Sequence, residues 1–468
     1  MIRFYNTLSG QIEEFIPLEP GQVKMYTCGP TVYDYAHIGN FRAYVFEDLL
    51  KRFLLAMGFK VTHVMNITDV DDKTIRGAKA KNLSLEEYTK IYTEAFFEDI
   101  DTLKILRADY YPRATHHIPD MVKMIKGLMA KGYAYEKDGS IYFDVSKFPN
   151  YGQLAKIKIS ELKTGVRIDA DEYSKDSVQD FALWKKRKEG EPYWETELGP
   201  GRPGWHIECS VMSTKYLGET FDIHCGGVDN IFPHHENEIA QSEAYTGKKF
   251  VNYWLHCHHL IVEGEKMSKS KGNFYTLRDL TSRGVDPLDL RYLLLATHYR
   301  KMLNFTFDGL RQAGAARRRL YDFIYELYHR TFPPGETPEI KTLVKEAKNK
   351  FLAALSDDLN ISQALTALFE LVKKGNIFLA QGQVKRGDRQ ILDQALQDLD
   401  KVLAVLPALE EEQLPQEILK KIEERQKARA ARNYALADKI RDELRAQGIL
   451  LEDTKEGVRW KRIKPTSS

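Results

Sequence analysis

The 468-residue sequence predicts an α/β protein that starts with a parallel sheet and finishes in helices. Three observations carry this. Strand, helix and strand patterns follow one another at the start, the order of a parallel βαβ unit. Hairpin-like pieces interrupt that pattern between about residues 115 and 199. From Asp289 onward the apolar spacing is helical almost to the end. At 54.0 kDa the chain is too long for one compact core, and length alone suggests roughly three domains.

Taken in order, "GQVKMYTCGPTVYDYAHIGNFRAYVFEDLLKRFLLAMGF" opens with a β-leaning stretch at 23–27, broken by Gly29-Pro30. Ala43, Phe46, Leu49, Leu50, Phe53 and Leu54 then recur at helical spacing, and Gly58 stops the helix. "KVTHVMNITDVDD" supplies a second buried strand. Ligands of such a unit bind beyond the carboxyl ends of the strands, where Cys28, His37 and Thr68 fall, so the sheet is expected to be Rossmann-like. "YAYEKDGSIYFDV" reads as a hairpin turning at Asp138-Gly139, inside an inserted subdomain. Parallel-strand character returns at "FDIHCGG" and at "FVNYWLHCHHLIV", along which His256 and His258 alternate. The clearest linkers are "TFPPGETPEI" and "LEEEQLP". The expected divisions are 1–114 with 200–260, the parallel-sheet domain; 115–199, the insertion; 261–315, a loop region; 316–407, a helical bundle; and 408–468, a small C-terminal domain.

Hydrophobic content of 43% and charged content of 29% are those of a soluble globular protein. No apolar run approaches the length of a membrane span, and "MIRFYNTLSG" has no basic region followed by an apolar block. The expected location is the cytoplasm. Four cysteines are too few for a disulfide scaffold, which leaves metal binding, catalysis or packing. From 415 to 464 there are 14 Lys/Arg against 9 Asp/Glu, an excess that favours a polyanion partner and also fits a solvated helical face.

Three constellations carry chemistry. His37-Ile38-Gly39-Asn40 sits at a helix start, where free N–H groups suit phosphate. Gly39 lets a flat ligand approach, and His37 and Asn40 can donate hydrogen bonds to phosphoryl oxygens. Lys266-Met267-Ser268-Lys269-Ser270 offers mobile positive charge that can follow a polyphosphate into the transition state. Singly, these are also an ordinary helix turn and an ordinary basic loop. In "FDIHCGGVDNIFPHHENEIAQS", His234 and Glu238 share a helix face. The metalloprotease pattern His-Glu-x-x-His is absent, because Ile239 stands where its second histidine belongs. Cys28, and Cys209 in "GRPGWHIECSVMS", would complete a four-ligand zinc set with His234 and Glu238. Plain packing of small buried thiols fits the same cysteines. Gly227 permits close backbone approach, and Asp229 is placed either to bond ribose hydroxyls or to cap. Cys225 and Cys257 read as core. His224, His235, His256, His258 and His259 read as hydrogen-bonded structural histidines.

The His-x-Gly-x turn and a Lys-Met-Ser-Lys-Ser loop more than two hundred residues later are the paired signatures of class I aminoacyl-tRNA synthetases, and the chain resembles that class. "TCGPTVYDYAHIGNFR", "NITDVDDK", "GRPGWHIECS", "FDIHCGGVDNIFPHHENEIAQS" and "GEKMSKSKGNFYTLRDL" narrow the resemblance to the cysteinyl-tRNA synthetases. It runs through "DPLDLRYLLLATHYRKMLNF" to the tail "ARAARNYALADKIRDELRAQGILLEDTKEGVRWKR". The resemblance implies ATP-dependent activation of L-cysteine to cysteinyl-adenylate and transfer to the 3′-terminal ribose of tRNA(Cys), by a monomer. It implies one zinc ion per chain, held by Cys28, Cys209, His234 and Glu238 and gripping the substrate thiol, with Mg2+ accompanying ATP. Shape alone separates cysteine from isosteric serine by only roughly 10²-fold, and a zinc–sulfur bond adds the rest.

His37, Asn40, Lys266 and Lys269 are then the catalytic residues, and with Gly39, Gly227 and Asp229 they form the ATP site. Gly29, Thr68 and Trp205 border the cysteine, Trp205 as the pocket wall. The region 261–315 carries the signature loop and stem contact, 316–407 binds tRNA, and 408–468 reads the anticodon. Arg429, Arg432, Arg441, Trp460 and Lys461 are candidates for phosphate or base contacts.

The sequence departs from the family pattern at three places. Asn40 replaces the usual second histidine of the first signature and keeps donors without charge. His258 falls where many relatives have glycine. Asn360-Ile361-Ser362 stands where Asn-Thr-Pro is common. Two rival readings remain: a ligase that passes activated cysteine to an amino-sugar, and a zinc-bearing RNA-binding protein without catalysis. Intact His37, Lys266 and Lys269 speak against the second, and the C-terminal block speaks against the first.

Overall fold

Strand β1 (Gln22–Thr27) buries Val23 and Met25 on one face and Tyr26 on the other, as a strand covered on both sides must. The protein is described by a computed structural model over residues 1–157, 167–168, 180–406, 416–454 and 457–462. Helix α1 (Ile38–Ala56) follows β1 and starts with a reciprocal cap. The Asn40 N–H donates to His37 Nδ1 at 3.2 Å, and the His37 N–H donates to Asn40 Oδ1 at 3.0 Å. Phe41, Val45, Leu49 and Phe53 bury the apolar stripe, and Gly58, at φ +89, turns the chain out of the helix. Strand β2 (Lys60–Met65) then pairs parallel to β1 from Gln22↔Lys60 to Thr27↔Met65.

The chain next leaves the sheet through helices Asp72–Lys81, Leu85–Thr102 and Ile118–Ala130. A separate small sheet comes after them, built from Ala134–Lys137, Ser140–Phe143, Arg167–Ile168, Asp180–Lys186 and Gly201–Pro203. Its first hairpin turns at Asp138 and Gly139, both at positive φ (54° and 80°), the two-residue turn the sequence signals. The last of these strands leads directly into helix α2 (Trp205–Leu217).

Strand β3 (Phe221–Gly227), helix α3 (His234–Thr246) and strand β4 (Val251–Cys257) complete the main sheet. Its order is β4-β3-β1-β2, and every pair is parallel. The chain enters at β1, moves to β2, then returns to the opposite side of β1. That reversal opens a crevice at the C-terminal ends of β1 and β3, where open sheets of this kind bind ligands.

Two expectations need correction. His256 and His258 do not alternate on one strand. β4 ends at Cys257, and the His258 N–H turns to the Tyr299 carbonyl at 2.7 Å. Nor is the chain helical without interruption from Asp289. Strand Leu303–Phe305 pairs parallel with Leu260–Val262, and three residues are too few to display a period.

The helices Phe307–His329, Pro338–Ser356, Ile361–Ala380 and Arg386–Leu403 form the bundle, and the "TFPPGETPEI" linker falls between the first two. The linker "LEEEQLP" lies outside the described residues. Helices Gln416–Ala430 and Tyr434–Ala446 and the hairpin of Ile449–Thr454 with Gly457–Arg462 share a small core of Ile422, Ile440, Leu444, Ile449 and Leu451.

Helix α1 also fastens the helical region to the sheet. Arg42, buried, donates to the carbonyls of Leu294 and His298. Asp48 accepts from Arg291, whose remaining donors reach the carbonyls of Leu403 and Leu103 at 2.8 and 2.9 Å. Each buried guanidinium is thus held by backbone acceptors, as burial of a charge requires.

Candidate active site

Three elements bring one cluster together. Cys28 is the residue after β1, Cys209 lies in the second turn of α2, and His234 and Glu238 stand one turn apart at the start of α3. Their ligand atoms all lie within 4.8 Å of one another. Glu238 Oε1 is fully buried and pairs with His234 Nε2 at 3.0 Å, without the geometry of a hydrogen bond to any of the described residues. A buried carboxylate oxygen balanced by charge but not by a hydrogen bond keeps a lone pair for a ligand. Two sulfurs, a nitrogen and an oxygen, all facing one point, fit zinc.

The surroundings orient these ligands. His224 Nε2 is 2.9 Å from Glu238 Oε2, which turns Oε1 toward His234 and the cluster. His206 Nδ1 is 3.0 Å from His234 Nδ1, which leaves His234 Nε2 for the cluster. His235 Nε2 is 3.2 Å from Cys28 Sγ, and its Nδ1 is 2.8 Å from His256 Nε2. A second donor set, Cys28, His224, His235 and Glu238, meets the same distance limit. There His224 engages Glu238 Oε2 and His235 bridges Cys28 to His256, so these two histidines read as supports of the Cys28, Cys209, His234 and Glu238 set.

Charges in the cluster are strongly coupled. Burial raises the Cys28 thiol well above its ordinary value. Burial also raises Cys209, but the Cys28 hydrogen bond and the His234 charge outweigh it and bring it to about 6. Burial raises Glu238, and the His224 and His234 charges overcome that and bring it to about 2.

The indole of Trp205 closes one side, stacked on His234. Gly29 is obligatory where β1 and β2 end: a Cβ there would sit 1.8 Å from the Asn66 carbonyl oxygen. Thr68 is almost wholly buried, and its backbone is paired with Pro30 and Val32.

The other end of the site holds the two signatures. His37 Nδ1 is occupied as an acceptor by the Asn40 N–H, so Nε2 carries the ring proton. Burial lowers the His37 pKa to about 4, against the raising effect of Asp229 and with help from Lys269. His37 is therefore a neutral donor near pH 7. Asn40 Oδ1 is committed to the cap, so its Nδ2 is the group left to donate. A Cβ at Gly227 would lie 2.2 Å from Asp229 Oδ1, so a side chain there would push the Asp229 carboxylate out of its present position. Lys269 pairs with Asp34 across the cleft mouth and lies 5.0 Å over the Phe274 ring, which meets His37 edge-on at 5.2 Å.

One cleft of about 650 Å³ joins the two ends. Cys28, Gly29, Thr68, Trp205, Cys209 and His234 line one end; His37, Gly39, Asn40, Gly227, Asp229 and Lys266 line the other. Glu238 lies behind the wall, and Lys269 stands at the rim through Asp34. Sequence reasoning missed His206, Asn66, Glu208 and Glu47. Glu47 lines the cleft and is almost wholly buried, and burial raises its pKa to about 8 against the lowering effect of Thr27. Gly39, Ala43 and Glu47 are spaced by four on α1, and that stripe was its signal.

The proposed tRNA-contact residues are distant in sequence. Arg441 pairs with Asp438 at 3.2 Å, and Arg432 has φ 60 between the last two helices. The side chains of Trp460 and Lys461, on the last strand, lie outside the described residues.

Residues 14–315 match the family described as "tRNA synthetases class I (C) catalytic domain", and residues 350–410 match "DALR domain". The "Cysteine--tRNA ligase" of Solibacter usitatus (strain Ellin6076) is 53% identical over 463 residues, covering 98% of this chain and 99% of that one. That of Chlamydia muridarum (strain MoPn / Nigg) is 51% identical over 472 residues, with 98% and 99% covered. Among solved structures, the Mycobacterium tuberculosis methionyl-tRNA synthetase in complex with methionyl-adenylate superposes with a TM-score of 0.59 at 14% identity, over 82% of this chain and 90% of that one. A putative arginyl tRNA synthetase from Campylobacter jejuni gives 0.53 at 14%, over 84% and 94%. At that identity the two structures speak for the fold alone. The sequence matches over nearly the full length go further: the chain belongs to the cysteine--tRNA ligase family of class I tRNA synthetases.

Proposed function

We propose that both steps of cysteine–tRNA ligation run in this single cleft. The carboxylate of cysteine attacks the α-phosphorus of ATP, forming cysteinyl-adenylate and releasing pyrophosphate. The 2′-hydroxyl of the terminal tRNA ribose then attacks the activated carbonyl and releases AMP. The observation that supports this reading is the continuity of the cleft from the Cys28, Cys209 and His234 end to the His37, Asn40 and Lys266 end. No protein nucleophile is required, so alignment and charge stabilisation carry the rate.

Cys28, Cys209, His234 and Glu238 are the residues that would hold zinc, and the convergence of their ligand atoms within 4.8 Å supports the fit. When bound, zinc supplies a bond to sulfur that a serine oxygen cannot equal. His37 and Asn40 donate to phosphoryl oxygens as neutral groups, so they impose no fixed charge on the ground state. Lys266 and Lys269 supply the positive charge, Lys269 by exchanging Asp34 for phosphate. Magnesium accompanies ATP. Residues 1–114 with 200–260 form the catalytic unit and 115–199 the insertion; 261–315 places the signature loop. The bundle at 316–407 and the unit after 408 hold the tRNA. The match over 98% of the chain, C-terminal block included, favours this reading over an amino-sugar ligase.

The test is cysteine-dependent ATP–pyrophosphate exchange, followed by aminoacylation of tRNA(Cys) and a zinc assay. Exchange that requires cysteine, charging of tRNA and one zinc per chain are expected. Equal exchange with serine, or zinc retained after Cys28 and Cys209 are both replaced by serine, would overturn the assignment of the pocket.

A further inference from the structure

Residues 29–37 line the cleft without a break, from the thiol end at Gly29 to the phosphate end at His37. Two tyrosines stand in the middle of that run and remain open to solvent, Tyr33 at 37% and Tyr35 at 39%. Their backbone is fixed. The Tyr33 N–H donates to the Thr31 carbonyl at 3.0 Å, its carbonyl accepts from the Tyr88 hydroxyl at 2.6 Å, and the Tyr35 N–H donates to Asp34 Oδ1 at 2.8 Å. The rings are braced as well. Lys73 Nζ lies 5.4 Å over the Tyr33 ring, the Arg278 guanidinium lies 5.0 Å over the Tyr35 ring, and Tyr92 meets Tyr35 edge-on at 5.3 Å. Asp34, between the two tyrosines, is paired with Lys269, which masks a charge that would repel a phosphate chain.

Braced, open aromatic rings with cations beside them are the surface on which unpaired nucleotides stack, because every base has a π-face and every linkage a negative charge. The place of these rings on the cleft says which nucleotide. In cysteinyl-adenylate the carbonyl lies between the sulfur and the phosphate, so it falls along the middle of the 29–37 run. The 2′-hydroxyl that attacks it belongs to the last nucleotide of tRNA. The base on that same ribose must come to rest beside the carbonyl. Tyr92 and Phe96 also line the cleft there, but both are buried and offer no open face. Tyr33 and Tyr35 do.

We propose that Tyr33 and Tyr35 form the stacking platform for the 3′-terminal base of the tRNA and so set its ribose against the activated carbonyl. This rests on the reading that the cleft forms cysteinyl-adenylate and passes cysteine to tRNA. The platform serves the second step and takes no part in the first.

A cycle of two proteins and two tRNAs isolates the contact. One tRNA(Cys) is intact; the other keeps the terminal ribose and its 2′-hydroxyl but lacks the terminal base. Single-turnover transfer from preformed cysteinyl-adenylate is measured at subsaturating tRNA for the zinc-loaded wild type, for Tyr33→Ala with Tyr35→Ala, and for Tyr33→Phe with Tyr35→Phe. On intact tRNA the alanine pair should lose roughly tenfold or more, as for a lost base–aromatic stack, and the phenylalanine pair should stay near wild type. On the base-less tRNA the wild type should lose the same factor, and the alanine pair should fall no further than about twofold below it, because the contact is already gone. Cysteine-dependent pyrophosphate exchange should be the same in all three proteins. Equal loss by the alanine pair on both tRNAs, no loss on the intact one, or a parallel loss of exchange would overturn the platform. Failure of the wild type to charge intact tRNA would instead overturn the reading of the cleft itself.

Discussion

The Trp205 indole lies on the His234 imidazole with ring centroids 4.1 Å apart and planes 20° from parallel. A wall residue is thus packed directly on a proposed metal ligand, and pocket shape and ligand orientation depend on the same contact. Trp205→Ala should raise the KM for cysteine by roughly tenfold and speed zinc loss to a chelator, because such aromatic contacts contribute about 1 kcal/mol beyond burial. Trp205→Phe should restore most of both. A variant with altered KM and unaltered zinc release would separate the two functions.

Lys269 is held by Asp34 at the cleft rim. Lys269→Ala should lose adenylate formation by about 10²–10³-fold with zinc content unchanged, the range for removing one transition-state donor. Asp34→Asn should change the ATP KM by no more than about fivefold, since the pair is largely exposed. Near-normal pyrophosphate exchange in Lys269→Ala would contradict the role.

His37 should remain neutral throughout the working pH range. Its pKa is lowered from 6.5 to about 4 mainly by burial, with Asp229 and Asp34 opposing and Lys269 reinforcing. The folded value lies below the unfolded one, so the stability His37 contributes is present above about pH 6.5 and is lost as pH falls toward about 4. Histidine-labelled protein followed by NMR should show the His37 resonance, identified by its loss in His37→Gln, titrating near pH 4. A midpoint above pH 6 would mean that a cation, not a neutral donor, faces the phosphates.

Truncation after residue 408 should impair tRNA charging far more than pyrophosphate exchange. The C-terminal helices and hairpin carry their own apolar core, so the catalytic sheet does not lose its packing with them. Comparable loss of both activities would show that the segment serves folding of the remainder.

Much of this site was legible from residues 23–70, because β1, α1 and β2 announce themselves by period and their order fixes where the strands end. Spacing alone favoured packing over metal binding for Cys28 and Cys209; the convergence of their sulfurs with His234 and Glu238 within 4.8 Å is a three-dimensional fact that no spacing encodes. Leu303–Phe305 escaped because three residues show no alternation, and His258 was misread because a strand end leaves no mark when the apolar run continues. The single hydrogen bonds that join Thr68 to Asn66 and, across 140 positions, to Glu208 follow no repeat.

Cys28 precedes Glu238 by 210 positions, and Cys209 and His234 lie between them. On the ribosome, the first thiol therefore emerges long before the carboxylate that would share its ion. At about 5–20 residues per second the interval is roughly 10–40 s. Metal capture by this proposed cradle is then a late step of synthesis, and until it occurs the nascent chain presents an unprotected Cys28 to cellular oxidants.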